Sequence, residues 1–166
     1  KPSNASTDMS GVMSDQVFYY GTSQALRENA FVLPGYTFTG WNTKADGTGE
    51  SFTDVQSIYT KESLTLYAQW VKGVTVSFHA NGGTGTMESK FINPTKSYKL
   101  PDNAFTKEDY FYNGWNTASD GTGIAYSDAK TTYITEDLTL YAQWEEFLIS
   151  SGTENGYEYV DLGLPS

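Results

Sequence analysis

The chain has 166 residues, no cysteine and a formal net charge of −10. The negative charge repels phosphate groups and the ten Lys and Arg residues are scattered along the chain, so nucleic acid and anionic lipid are poor candidate partners. The lack of cysteine excludes disulfides and thiolate chemistry, and no apolar run is long enough to insert into a bilayer as a helix.

The first elements predicted along the chain are a short helix and an alternating strand. Residues 1–9 show no strand alternation. Ser23–Asn29 begins with an acceptable N-cap and continues with good helix formers, which predicts one short helix. Tyr36–Trp41 alternates in polarity, which predicts a strand that ends or bulges near Gly40.

Two further strands are predicted on either side of residue 73. Leu64–Trp70 (LTLYAQW) places its two leucines, Ala68 and Trp70 on one face, which predicts a strand with a single buried face. Val74–Phe78 (VTVSF) has the same period of two and is followed by glycines that permit a turn. The sequence therefore predicts a core built by alternating strands.

The chain contains one unit twice. Leu64–Trp70 recurs letter for letter as Leu138–Trp144, 74 residues later, and Gly40-Trp41-Asn42-Thr43 recurs at the same offset. Such self-similarity predicts tandem structural repeats. At this offset the second helix would lie at Ser97–Asn103, where Pro101 is expected to shorten it.

The repeat pattern divides the chain into three segments: residues 1–71, residues 74–144, and a tail or start of another domain at 145–166. Only Val71-Lys72-Gly73 connects the two repeats, which predicts a semi-rigid series of repeats. The positions that match Val74–Phe78 begin before Lys1 in the first repeat, and Lys1–Met9 show no strand alternation. The first repeat is therefore expected to lack its first strand and to carry an unpaired edge or a gap on its core face.

The repeated motifs resemble a known family. GYTFTGWNTKADGTG from Gly35, VSFHANGGTGTM from Val76 and the closing LTLYAQW are similar to the Listeria–Bacteroides repeat, also called the internalin B-repeat. The resemblance implies an α+β, mainly β fold of tandem β-grasp-like units, each a mixed sheet with one short helix. It also implies a location outside the cell, on the surface or associated with an outer membrane.

The tail carries a second, shorter resemblance. Residues 158–166 (EYVDLGLPS) are similar to the opening of a different module that is common in surface proteins of gut Bacteroidetes. This resemblance implies a domain boundary near Glu145.

Two Asp-Gly-Thr-Gly segments offer oxygen ligands of the kind that calcium prefers. Asp46 and Asp120 open these segments, and Asp54 and Asp128 follow eight residues later. The spacing is not that of an EF-hand loop, and Asp-Gly is the usual signature of a tight turn. Turns are therefore the preferred interpretation, calcium at these four residues is the alternative, and no cofactor is expected.

The tryptophans and tyrosines allow a carbohydrate-binding interpretation, because flat aromatic rings stack on sugars. Trp70 and Trp144 share a face with leucines, which favours a core position for both. The other two tryptophans follow a glycine at the expected bulge, and one tyrosine of each LTLYAQW strand points to the opposite face. The candidate binding aromatics are Tyr67, Tyr141, Trp41 and Trp115.

The sequence contains no recognisable set of catalytic residues. His79 is the only imidazole and has no cysteine or second histidine for a triad or a zinc site, so no enzymatic activity is expected. The sequence favours a non-catalytic repeat module of a bacterial cell-surface or secreted protein, acting as a semi-rigid spacer with weak protein-interaction or adhesion contacts to host or bacterial surface proteins. The alternative is a carbohydrate-binding module of a polysaccharide-handling surface protein. A monomer is expected, with strand-edge pairing open to the first repeat.

Overall fold

A computed structural model describes residues 8–146 and the backbone of residues 150–154 and 157–161. The chain forms two compact units, Lys1–Gly73 and Val74–Ser166, which we call unit one and unit two. Every helix or strand element found in the described ranges is a β-strand. These ranges contain no helix of the length and apolarity that crossing a membrane requires.

Unit one contains two small antiparallel sheets. Its strands are β1 (Gln24–Ala25), β2 (Tyr36–Asn42), β3 (Ser51–Phe52), β4 (Ser57–Ile58) and β5 (Tyr67–Lys72). The three-stranded sheet has the order β3-β2-β5, and β1 pairs with β4 in the second sheet. Strand β2 is central, so its backbone pairs with a strand on each side and its side chains alternate between the two faces of the sheet.

Unit two contains a larger, mixed sheet. Its strands are β6 (Val74–His79), β7 (Lys90–Ile92), β8 (Tyr98–Lys99), β9 (Tyr110–Asn116), β10 (Ala125–Tyr126), β11 (Thr131–Thr132), β12 (Leu138–Glu146), β13 (Ser150–Glu154) and β14 (Tyr157–Asp161). The main sheet has the order β10-β9-β12-β6-β7. Strands β12 and β6 are parallel, and the other pairs are antiparallel.

A glycine lies at a bulge in strand β2 of unit one and in strand β9 of unit two. The register of β2 against β5 shifts between Phe38 and Gly40, where the sequence predicts a bulge, and a similar shift occurs opposite Gly114. Both glycines have positive φ angles, of 142° and 93°. A Cβ would lie 2.7 Å from the Phe52 carbonyl oxygen at the first position and 2.9 Å from that of Tyr126 at the second, so both positions require glycine.

The two hydrophobic cores differ in extent. In unit two, the fully buried Trp115 packs against the rings of Phe78, Phe105 and Tyr112. The buried residues of this core are Val74, Val76, Ile92, Leu100, Phe105, Trp115, Ile134, Leu140 and Ala142. The buried core of unit one contains Leu26, Trp41, Ile58 and Ala68. Three of the buried residues in the core of unit two, Val74, Val76 and Ile92, belong to β6 and β7.

The expected α+β fold with one short helix per repeat is wrong, because the described residues form strands without a helix. Within the predicted helix Ser23–Asn29, strand β1 pairs with β4, and the Leu26 amide donates to the Gln56 carbonyl at 2.9 Å. Within Ser97–Asn103, strand β8 pairs with β11. A helix of seven residues has few internal hydrogen bonds, so tertiary pairing outweighs the helix propensity of these residues.

Two predictions concern residues that lie partly outside the described ranges. The positions in unit one that match β6 are residues 1–5, and residues 1–7 are not among those described. In the tail, β12 continues through Glu146, and β13 and β14 form an antiparallel pair. Residues 162–166, which complete the tail motif, lie outside the described residues.

Candidate functional site

A buried asparagine organises the Asp-Gly-Thr-Gly loop of unit one. The Asn42 amide nitrogen donates to the carbonyl oxygens of Gly47 and Gly49 and to the Ser51 hydroxyl. Its amide oxygen accepts from the Lys44 and Gly49 backbone amides at 2.8 and 3.0 Å. These bonds occupy the amide on both sides, so a side chain of the protein closes the loop.

Unit two repeats this arrangement at the same offset. The Asn116 amide nitrogen donates to the carbonyl oxygens of Gly121 and Gly123, at 3.0 and 3.4 Å. Its amide oxygen accepts from the Ala118 amide at 2.9 Å. A Cβ at Gly123 would collide with the Thr117 hydroxyl and the Asn116 amide oxygen, which explains the second glycine of the motif.

The first aspartate of each Asp-Gly-Thr-Gly segment stabilises the turn. Asp46 Oδ1 accepts from the Thr48 backbone amide at 3.0 Å and from its hydroxyl at 2.8 Å. Asp120 accepts the same pair of bonds from Thr122, at 3.1 and 2.7 Å. These bonds favour the ionised carboxylate and hold the pKa of both aspartates below their usual value. The geometry is that of an Asx turn.

The second aspartate of each pair considered for calcium, Asp54 or Asp128, is bonded to a different loop. Asp54 Oδ1 accepts from the Asn29 amide at 3.1 Å and from the Trp41 indole nitrogen at 3.3 Å. Asp128 accepts from the Asn103 amide at 3.2 Å. In the part of the chain that the structure describes, no three acidic or histidine side chains gather as metal ligands do. The arrangement supports turns, and calcium remains an alternative for experiment.

The four tryptophans fall into two classes. Trp41 and Trp115 are 5% and 0% exposed, so the indole faces of these two candidate binding residues lie inside the cores. Trp70 and Trp144, the predicted core anchors, are half-buried and pack against the edges of the cores. The Trp144 indole nitrogen donates to the Ala80 carbonyl at 2.9 Å. The bulge at the preceding glycine brings Trp41 and Trp115 into the core, an effect that strand alternation alone did not predict.

The candidate binding tyrosines lie on the sheet surface. Tyr67 and Tyr141 are half-buried. The Tyr141 ring packs against the ring of His79, its partner on the parallel strand β6, with centroids 5.1 Å apart. His79 Nδ1 accepts from the Asn81 amide at 3.0 Å, so the imidazole stabilises the turn that follows β6.

Unit one also contains a cavity of about 510 Å³. Its apolar lining includes Met13, Phe18, Leu26, Phe31, Trp41 and Leu64. Charged residues at its border carry both signs, among them Asp15 and Arg27. Sequence analysis predicts a gap on the core face of this repeat from the position of the missing strand, but it does not identify these lining residues. Several of them, such as Met13 and Phe18, come from segments that have no periodic pattern.

Comparisons with known proteins agree on one family. The sequence profile of the Listeria-Bacteroides repeat domain matches residues 5–69 and 75–143. Two proteins of Evansella cellulosilytica, named as a Gly-rich membrane protein and as a membrane protein, are 31% and 32% identical over 83% and 74% of the chain. Internalin H of Listeria monocytogenes is 32% identical over 75% of the chain.

The chain corresponds to a minor part of these relatives. It spans 17% and 18% of the lengths of the two Evansella proteins and 22% of the length of internalin H. No solved structure matches the chain significantly.

Proposed function

The chain belongs to the Listeria–Bacteroides repeat domain family, and from this premise we propose that it is a non-catalytic repeat segment of a bacterial cell-envelope or secreted protein. Its role in this proposal is that of a semi-rigid spacer with weak protein-binding surfaces. The family match confirms the resemblance noted in the sequence, in two tandem copies.

The observation that carries the spacer role is the short connection between the units. Strand β5 ends at Lys72 and strand β6 begins at Val74, so a single residue, Gly73, separates them. A connection of one residue leaves few backbone dihedral angles through which one unit can turn against the other. Tandem units joined in this way suit a spacer.

The polar groups that an enzyme would use have structural partners here. His79 and the four aspartates of the loops bond to nearby amides, hydroxyls or an indole. The relatives named as membrane proteins and internalin H support a cell-envelope location. Both observations support a role in display rather than in catalysis.

Nuclear spin relaxation of the full chain tests the spacer role. We expect the backbone amides of both units to report one common rotational correlation time. As a control, a flexible Gly-Ser insertion after Gly73 should give each unit its own, shorter correlation time. Independent tumbling of the units in the unmodified chain would contradict the spacer role.

Binding to surface proteins is tested by copy number. Arrays of two, four and six repeats are compared for binding to immobilised host matrix and bacterial surface proteins. Weak single contacts should gain roughly 100-fold or more in apparent affinity when several sites bind together. An affinity that does not change with copy number would contradict this part of the proposal.

The carbohydrate-binding alternative depends on Tyr67 and Tyr141, because Trp41 and Trp115 are buried. A glycan array probed with the wild-type chain and with the Tyr67→Ala/Tyr141→Ala variant tests it. Saturable glycan binding that this variant loses while it stays folded would favour the alternative over the spacer role.

A further inference from the structure

Strand β7 forms one edge of the main sheet of unit two. The sheet has the order β10-β9-β12-β6-β7, so β7 pairs with β6 on one side, and within the described ranges no strand pairs with its other side. Phe91 is 50% exposed, and the three residues before it, Glu88, Ser89 and Lys90, are exposed as well. An exposed edge of this kind presents backbone groups that can pair with a further strand.

The register of β7 against β6 fixes which backbone groups point outward from this edge. The Thr75 amide donates to Asp137, which directly precedes β12, so the backbone of Thr75 faces β12. The partner of Thr75 in β7 is Phe91, and this pair is therefore one that exchanges no hydrogen bonds. The N–H and C=O groups of Phe91 point away from β6, and those of Ser89 do the same because the pattern repeats every two residues.

Two charged side chains beside this edge make it complementary to itself. Glu88 and Lys90 are separated by one residue and share a face of the strand, where the Lys90 ammonium lies 3.8 Å from the Glu88 carboxylate. In an antiparallel pair of two such edges centred on Ser89, each Glu88 lies opposite the Lys90 of the other chain. Opposite charges in this position are favourable, whereas a pair centred on Lys90 would place two lysines opposite each other.

We propose that the β7 edge pairs with the β7 edge of a second copy of the chain, antiparallel and around a two-fold axis at Ser89. The two strands exchange backbone hydrogen bonds at Ser89, and one Glu88–Lys90 ion pair flanks the axis on each side. The contact joins the main sheets of two chains into one continuous sheet. The proposal goes beyond the spacer role and does not depend on it, and it replaces the monomer that is expected from the sequence.

Unit one does not offer the same edge. At the repeat offset, Ser14 and Gln16 stand in place of Glu88 and Lys90. The Gln16 side chain donates to the Ala25 carbonyl and accepts from the Arg27 amide. The charges that select a second copy therefore belong to unit two, and the pairing is specific to that unit.

Sedimentation equilibrium of the full chain tests whether the dimer forms. Because the contact is small, we expect weak and reversible dimerisation that becomes visible as the concentration rises to about 1 mM. In the same range, the amide chemical shifts of residues 88–92 should change with concentration, whereas those of unit one should not. A chain that is monomeric throughout, or a dimer whose shift changes lie outside this segment, would overturn the proposal.

Charge reversal tests the two ion pairs. Lys90→Glu and Glu88→Lys should each weaken the dimer by about tenfold or more, because two attractive contacts become repulsive. An equimolar mixture of the two variants should restore dimerisation, since one chain then supplies two acidic side chains and the other two basic ones. Each variant alone has lost the ion pair within its own edge, so recovery in the mixture requires contact between chains.

A matched variant controls for net charge. Lys99→Glu makes the same change in charge at an exposed residue of β8, which belongs to a different sheet, and it should leave dimerisation unchanged. Failure of the mixture to recover dimerisation, or a loss in Lys99→Glu as large as that in Lys90→Glu, would overturn the proposal.

Disulfide formation tests the register, because the chain has no cysteine of its own. Ser89→Cys places two thiols across the axis, in a pair whose Cα atoms are about 5.5 Å apart, which is within the range of a disulfide. Phe91→Cys is the matched control, since this register does not place the two Phe91 positions opposite each other. In a glutathione redox buffer we expect covalent dimers of Ser89→Cys and few of Phe91→Cys. The reverse preference, or equal cross-linking of both variants, would overturn the proposal.

Discussion

The same seven letters, LTLYAQW, have different structures in the two units. In unit two the strand begins at Leu138, and the fully buried Leu140 pairs with Phe78 of the parallel strand β6. In unit one the strand begins three residues later in the motif, at Tyr67, and Leu64 is 41% exposed beside a cavity. An alternating sequence therefore specifies which side chains can be buried, whereas the neighbouring strand decides how many of them are.

The Asp-Gly-Thr-Gly loops show the opposite behaviour. Asn42 and Asn116 make equivalent hydrogen bonds to their loops, and Asp46 and Asp120 accept equivalent bonds from the threonines that follow. All of these partners lie within ten residues of one another. Local loops are therefore determined by local sequence and have the same structure in both units.

Substitution of the buried core tryptophan, Trp41 or Trp115, should reveal the largest difference in stability between the two units. Trp115→Ala should destabilise unit two by about 3–5 kcal/mol, because it leaves a large cavity in a closely packed core. Trp41→Ala should cost unit one about 1–2 kcal/mol less, since this side chain already borders a cavity. Urea unfolding followed by resolved amide signals of each unit measures both losses. Equal losses would show that the two cores are equally packed.

Removing the loop asparagine should have the same effect in both units. Asn42→Ala and Asn116→Ala should each cost about 1–3 kcal/mol, because each removes the hydrogen bonds that a buried side-chain amide makes to the backbone of its loop. The same unfolding measurement serves here, with Glu50→Ala as an exposed control in the loop. A clearly larger loss in one unit would contradict the conclusion that these loops are autonomous.

Acid should weaken both turns to a small and equal extent. The pKa values of Asp46 and Asp120 are lowered in the folded state by bonds from Thr48 and Thr122. Their contribution to stability is therefore full above the ordinary value of 3.8 and is lost as the pH falls through the lowered value. Asp46→Asn and Asp120→Asn should each flatten the acid limb of a melting curve against pH. An unchanged acid limb would show that the turns do not depend on ionisation.

Calcium should have no effect on either unit. A ligand that binds only the folded state raises the melting temperature by mass action, and turns that the protein closes by itself give no such rise. Calorimetry with calcium and with chelator makes the measurement. A saturable rise of several degrees that Asp46→Asn and Asp54→Asn abolish in unit one would establish a calcium site there.

The failure of the helix prediction has a specific physical cause. Ser23–Asn29 contains good helix formers, yet Gln24 and Ala25 pair with Ile58 and Ser57 in β4. Leu26 is buried by this pairing. Propensity acts on neighbours in sequence, whereas the partner strand lies more than thirty residues away and has no local signature.

The sequence by itself determined the two-fold repeat, the alternating strands, the bulge at Gly40 and the Asp-Gly turns. Each depends on spacing or on a glycine that the local backbone requires. Only the tertiary structure decided that Trp41 and Trp115 are buried and that a cavity lies beside Leu64. The burial of a strand face depends on the distant segments that pack against it, and the alternating pattern of the strand does not specify those segments.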